Sequence, residues 1–135
     1  MPDKVFLDTN ILIYLFGEDS GKQFLAQKTV SESDASVSLQ VVNEFCGYLL
    51  KKKYPHDHVL AAVNQISENF PILRLSEKTV REALRLGKRY RYSHFDCLHL
   101  ATAIEHGCKI FYSEDMHHGH QLEEGLRILN PFKLT

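Results

Sequence analysis

Short apolar runs rich in β-branched and aromatic residues alternate along this chain with longer segments of helical period. That alternation constrains the fold more than any single residue. Val5-Phe6-Leu7 reads as a first strand and Ala35-Ser36-Val37 as a second. Pro71 to Leu75, Lys109 to Tyr112 and Arg127-Ile128-Leu129 follow as the third, fourth and fifth. Between them the spacing predicts a short helix over Ile11 to Phe16, ended near Gly17, and another over Gln23 to Ser31. A helix from Leu39 to Lys53 turns Val41, Val42, Phe45, Cys46 and Leu49 inward and is stopped by Tyr54-Pro55. The next, His58 to Asn69, points Leu60, Val63 and Ile66 at the core. Ser76 caps a helix whose apolar positions are Val80, Ala83, Leu84 and Gly87, at i, i+3, i+4 and i+7. From Ser93 a helix runs from His94 to about His106, apolar nearly all round and so buried, until Gly107 ends it. Strands alternating with helices imply an α/β fold with a parallel sheet covered on both faces. In such sheets sites form beyond the carboxyl ends of the strands.

The chain's 135 residues suffice for one core, so a single domain over 1–135 is expected. With 44% hydrophobic and 24% charged residues, the composition is that of a soluble globular protein. No apolar run approaches the roughly 20 residues that span a bilayer. Val5-Phe6-Leu7 is too short for a signal-peptide core. Cys46, Cys97 and Cys108 form no CxxC pair, which argues against a disulfide framework or structural zinc and for reduced thiols in the cytoplasm. Sixteen Lys and Arg against 17 Asp and Glu give a net charge of −1, which excludes indiscriminate coating of a polyanion.

The strand-end rule singles out four acids. Asp8 directly follows the first strand, although an Asp before Thr9-Asn10 serves equally as a helix cap. Asp115 stands just past the fourth strand, where a lone Asp is ordinarily a polar loop residue. Glu44 interrupts an apolar run in the second turn of a helix, too deep for a cap. It faces either solvent, beside Gln40 and Lys51, or a site. Asp96 fits a capping box with Ser93, yet opens a helix so apolar that its carboxylate needs a strong partner. In a wound α/β sheet the four positions converge on one end. Carboxylates about 4 Å apart repel by several kcal/mol at an effective dielectric near 20. Protonation or a divalent cation relieves that repulsion, and hard oxygen ligands favour Mg²⁺ or Mn²⁺ over zinc. Acids around such a cation suit phosphoryl chemistry.

The stretches Phe6-Leu7-Asp8-Thr9-Asn10-Ile11-Leu12, Val42-Asn43-Glu44-Phe45, His94 to Ala103 and Tyr112-Ser113-Glu114-Asp115 resemble, in order, the motifs of PIN-domain ribonucleases. The chain most resembles the VapC-type toxins of bacterial toxin–antitoxin pairs, over essentially its whole length. The resemblance implies a three-layer α/β/α domain with a parallel sheet of four or five strands. It also implies Mg²⁺- or Mn²⁺-dependent cleavage of RNA, commonly by a homodimer. Carried over by position, Asp8, Glu44, Asp96 and Asp115 match the family's acidic quartet, and Asn10 and Ser113 match supporting polar residues. Asp8, Asp96 and Asp115 would hold the metal directly or through water, with Glu44 positioning metal-bound water or assisting proton transfer. The resemblance further implies a cognate antitoxin, and a structured RNA such as tRNA without selecting one. Many members place another acid or Asn soon after the fourth aspartate. Here Met116-His117-His118 stands instead, a departure that bears on a second metal position and leaves the first.

Arg81, Arg85, Lys88 and Arg89 share a helical stripe, with Arg91 and Tyr92 just beyond. Such a run is commonly a solvated face, but a stripe leading toward Asp96 is also where RNA phosphates would be met. Lys51-Lys52-Lys53, at a helix C-terminus, reads as dipole compensation, with RNA contact as the alternative. His117, His118 and His120 lack a zinc signature and read as an exposed loop, whereas His99 reads as a hydrogen-bonded inner residue. Two other readings compete. A phosphotransfer protein, of the receiver or haloacid-dehalogenase-like kind, would use Asp8 as phosphoacceptor. The haloacid-dehalogenase-like kind needs a second Asp where Asn10 stands, and both kinds need a suitably placed lysine after a later strand; neither is evident. A non-catalytic RNA-binding PIN relative would not need the acids intact.

Overall fold

The computed structural model describes residues 2–133. Its elements run β1 (Lys4–Leu7), α1 (Thr9–Leu15), α2 (Ser20–Ser31), β2 (Asp34–Ser38), α3 (Leu39–Lys51) and α4 (His56–Asn69). They continue with β3 (Ile72–Leu73), α5 (Glu77–Tyr90), α6 (His94–Glu105), β4 (Ile110–Tyr112) and β5 (Arg127–Leu129). One turn of 3₁₀ helix, Glu123–Gly125, precedes β5, and another, Pro131–Lys133, follows it. Among the described residues no helix is long and apolar enough to cross a membrane.

The five strands form one parallel sheet in the order β3-β2-β1-β4-β5, with helices on both faces. β1 is central, and Val5, Phe6 and Leu7 are all buried because both of its faces are covered. Phe6 stacks on Phe111 of β4, ring centroids 4.9 Å apart. The chain winds outward from β1 through β2 and β3, then crosses back to β4 on its other side. The carboxyl ends of β1 and β4 therefore flank the point where the winding reverses, the place in such sheets where a crevice opens. In register Leu7 faces Tyr112, and the next backbone N–H, that of Asp8, donates to Tyr112 O at 3.0 Å.

Three expectations are corrected. The third strand is only Ile72–Leu73, not Pro71 to Leu75. On α4 the inward residues are Val59, Ala62 and Ile66, while Leu60 is exposed. On α5, Val80 and Leu84 face outward, and Thr79, Ala83 and Leu86 are buried. The cause is Thr79. Its hydroxyl donates to Glu105 at 2.8 Å and accepts from the Ser76 backbone at 3.0 Å, so a polar residue fills a core position at no hydrogen-bonding cost. This turns the helix by one residue and puts Gly87 against α6, where an added Cβ would lie 3.6 Å from Cys97 Sγ. The expectation for α6 holds, with Cys97 through Ala103 all buried. Gly17 follows α1 because an added Cβ would lie 2.7 Å from the Ile13 carbonyl oxygen.

Candidate active site

Asp8 is both a cap and a member of a cluster. Extended backbone places it at the N-cap of α1, where Oδ1 accepts from the Thr9 N–H at 2.7 Å. Its other oxygen turns to the neighbouring strand end and accepts from Ser113 Oγ at 2.8 Å. Ser113 Oγ in turn accepts from the Asp115 N–H at 3.2 Å. Asn10 ties the two strand ends together. Its amide nitrogen donates to Asp115 Oδ2 at 3.0 Å and more weakly to Asp8 at 3.4 Å, and its carbonyl accepts from the Glu114 N–H at 3.2 Å. Asp8, Asn10, Ser113 and Asp115 thus form one hydrogen-bonded unit across β1 and β4.

Glu44 points inward and is only half-buried. One oxygen, Oε1, accepts from Thr9 Oγ1 at 2.8 Å and lies 2.9 Å from His99 Nε2. Oε2 lies 3.4 Å from Gln40 Nε2. The ring of His99 is fully buried, with Nε2 also 3.9 Å from Asp8 Oδ1. Asp96, in the first turn of α6, has its N–H capped by Ser93 Oγ at 3.2 Å, and its carboxylate is half-buried. The cap therefore engages Ser93 and leaves the acid available.

The charges are strained in a consistent way. Burial raises the Asp8 carboxyl above its ordinary range, and Asp96 adds to this, against His99, Ser113 and Thr9. Burial likewise raises Asp96, with Asp115 and Glu44 contributing and Ser93 and His99 opposing. Burial pushes Glu44 up too, but the hydrogen bond and charge of His99, with Thr9 and Gln40, hold it below the usual range. Burial pushes His99 down, yet Glu44, Asp8 and Asp96 together raise it. Asp8, Glu44 and Asp96 therefore each feel at least one other member of the cluster.

The neighbours of this cluster explain which polar residues stay outside it. Glu114, between Ser113 and Asp115, turns away to pair with Lys22 and to accept from Tyr14 Oη at 2.5 Å. The α5 bases are largely engaged: Arg81 with Glu77 at 3.6 Å, Arg89 with Glu123 at 2.8 Å, and Arg85 with Glu82 at 2.8 Å and also with Glu123. Among the described residues Lys88 and Arg91 make no ion pair. The histidine loop is less open than expected. His117 is exposed, but His118 and His120 are half-buried: His118 Nδ1 accepts from the Asn130 N–H at 2.8 Å, and His120 Nδ1 lies 2.7 Å from the Tyr92 hydroxyl. Thr9 and His99 were not expected in the cluster. The signal for Thr9 was its place beside Asp8. For His99 it was a polar ring within an otherwise apolar helix.

Among the described residues, no three His, Cys, Asp or Glu side chains could hold a metal ion as they are arranged. The donors themselves are all hard oxygens, and Asp8 and Asp96 are crowded, partly desolvated acids. That chemistry fits a hard divalent cation of the kind held by one or two carboxylates and water.

The chain belongs to the PIN domain family, whose model matches residues 5–120. Its fold is shared with solved toxin structures. A toxin–antitoxin complex from Klebsiella pneumoniae superposes with a TM-score of 0.72 at 21% identity, covering 94% of this chain and 97% of that one. VapC20 of Mycobacterium tuberculosis, a toxin that cleaves the sarcin–ricin loop, gives 0.68 at 19% identity over 82% and 89%. VapBC2 from Rickettsia felis, bound to a promoter DNA fragment, gives 0.66 at 17% identity over 94% and 98%. No curated protein sequence matches the chain.

Proposed function

We propose that this protein is a Mg²⁺- or Mn²⁺-dependent endoribonuclease and the toxin of a toxin–antitoxin pair. The observation that carries this reading is the unit formed by Asp8, Asn10, Ser113 and Asp115 at the winding reversal, with Glu44 and Asp96 facing it. Asp8, Asp96 and Asp115 would hold the cation directly or through water, and when bound it would supply Lewis-acid polarisation of a phosphate oxygen and acidify water. Ser113 and Asn10 orient the carboxylates of Asp8 and Asp115. Glu44, kept ionised by His99 and Thr9, accepts a proton from the attacking water. Because water attacks, the 2′-hydroxyl takes no part, and the products carry 5′-phosphate and 3′-hydroxyl ends.

Structured RNA such as tRNA is the substrate class, in keeping with the RNA loop cut by the M. tuberculosis neighbour. Lys88 and Arg91 are the bases best placed to meet its phosphates, with Arg81, Arg85 and Arg89 competing for their own acids. A cognate antitoxin is the expected protein partner, as the solved neighbours include toxin–antitoxin complexes. A homodimer is expected from the family resemblance. The whole chain acts as a single domain in the cytoplasm.

The phosphotransfer alternative is disfavoured by Asn10, which stands where a haloacid-dehalogenase-like protein needs a second Asp. The nearby lysine, Lys22, is committed to Glu114. Purified protein incubated with structured RNA should cut it in Mg²⁺ or Mn²⁺ and stop in EDTA. Glu44→Gln should slow cleavage by about 10²- to 10⁴-fold. Cleavage persisting in EDTA, or 2′,3′-cyclic phosphate ends, would overturn the proposal, as would acetyl-phosphate labelling of Asp8.

A further inference from the structure

Glu44 is the one acid of the cluster that comes from a helix interior, so nothing in its backbone setting fixes where its carboxylate points. Its side chain is instead held by two donors on the same oxygen. Thr9 Oγ1 reaches Oε1 at 2.8 Å and His99 Nε2 reaches it at 2.9 Å. Oε2 has only the long contact to Gln40 at 3.4 Å. His99 itself is 1% exposed and lies three residues after Asp96 on α6. It packs beside Phe6 of the central strand, ring centroids 6.0 Å apart.

The far side of that ring carries the second observation. Nδ1 of His99 is a buried side-chain atom with no hydrogen-bond partner among the described residues. A proton on Nδ1 would be a buried, unsatisfied N–H, whereas a bare Nδ1 leaves only a lone pair unpaired. The proton therefore belongs on Nε2, directed at Glu44 Oε1, with Asp8 Oδ1 3.9 Å from the same nitrogen.

We propose that His99 is a positioning residue of the acid cluster: its Nε2–H, with the Thr9 hydroxyl, saturates Oε1 of Glu44 and leaves Oε2 as the oxygen that works on the attacking water. His99 touches neither substrate nor metal in this role. It acts by stopping rotation of the Glu44 carboxylate and by holding Glu44 at a fixed distance from Asp8 and Asp96. This rests on the nuclease reading for its consequence, though the hydrogen bond itself does not.

His99→Gln and His99→Leu separate the two. Gln places a donor where Nε2 stands, whereas Leu fills similar space without one. His99→Leu is expected to lower kcat by about 10- to 100-fold with KM within about twofold, the size of effect seen when a ligand's supporting partner is lost. His99→Gln is expected to recover most of that loss at a similar melting temperature. Equal losses in both variants, tracking their melting temperatures, would reduce His99 to a packing residue, and full activity in His99→Leu would refute the role outright. Nitrogen-15 NMR of the metal-free wild type supplies a reading independent of activity. At a pH high enough to leave the ring neutral, the expected spectrum shows a protonated Nε2 and a bare Nδ1, and the Nε2 signal shifts in Glu44→Ala. An Nδ1–H tautomer would overturn the proposal. Asp8→Asn is run beside these variants: if wild type cuts no RNA, or Asp8→Asn cuts as well as wild type, the nuclease reading fails while the NMR result still decides the hydrogen bond.

Discussion

Replacing Asp8 with Asn is expected to stabilise the metal-free protein at neutral pH while abolishing cleavage. Asp8 is buried, and burial, the largest influence on it, raises its pKa above the ordinary 3.8, with the neighbouring Asp96 adding to the effect. A folded state that holds a proton more tightly than the unfolded chain gains stability from that group at low pH. The gain is complete below about pH 3.9 and is lost as pH rises through the folded pKa. At pH 7 the ionised carboxylate is therefore a net cost to the fold. Asn keeps the shape. Its carbonyl can accept from the Thr9 N–H, now at 2.7 Å from Oδ1, and its amide can face Ser113 Oγ, now at 2.8 Å from Oδ2, once that hydroxyl turns. Each pKa unit relieved is about 1.4 kcal/mol, and one hydrogen bond made less well costs about 1 kcal/mol. The expected net change at pH 7 is a gain, read as a higher melting temperature for Asp8→Asn than for wild type. Thermal melts in EDTA at pH 7 and pH 4 measure it: the gain should be present at pH 7 and vanish at pH 4. Added Mn²⁺ should reverse the order, because a site filled at 100 times its Kd adds about 2.7 kcal/mol to wild type alone. A variant less stable than wild type at pH 7, with no pH dependence, would make Asp8 an ordinary helix cap and refute the reasoning.

Other outcomes test the fold and the basic face. Phe111→Ala removes the ring stacked on Phe6 at the centre of the sheet and should cost about 3–5 kcal/mol in urea unfolding. Gly107 has φ of +75° with nothing within 4 Å of an added Cβ, so Gly107→Ala isolates backbone strain of roughly 1–2 kcal/mol. Lys88→Ala and Arg91→Ala should each flatten the salt dependence of RNA binding by about one phosphate contact. Arg85→Ala, whose guanidinium is held by Glu82 and Glu123, should change it less, as filter binding across a salt series will show.

Much of the candidate site's geometry was legible because it follows from strand ends. Asp8 and Asp115 stand one and three residues past apolar strands, and a parallel sheet has to bring adjacent strand ends together. Asp96 was legible as an acid opening an apolar helix. Glu44 could be flagged but not aimed, since its partners Thr9 and His99 lie 35 and 55 residues away. Periodicity failed on α5 for a related reason: Thr79 became an acceptable core residue only once Glu105, 26 residues on, supplied an acceptor. The basic stripe was correct as sequence but incomplete as chemistry. Glu123 reaches it from a 3₁₀ turn 38 residues beyond Arg85, and no local pattern announces that contact. Short-range features fixed the elements, whereas polar pairing across elements decided which faces and charges were free.

The central claim is that the acids at the carboxyl ends of β1 and β4, with Asp96 from α6, bind a hard divalent cation. Crystals of the full chain soaked in Mn²⁺, with anomalous data collected near the manganese edge, test it most directly. The account predicts a peak at about 2.2 Å from oxygens of Asp8 and Asp96, with Asp115 bound directly or through water. No such peak should appear in Asp8→Asn. Saturating Mn²⁺ with no peak between these carboxylates, or a peak only on the histidines at 117–120, would contradict it.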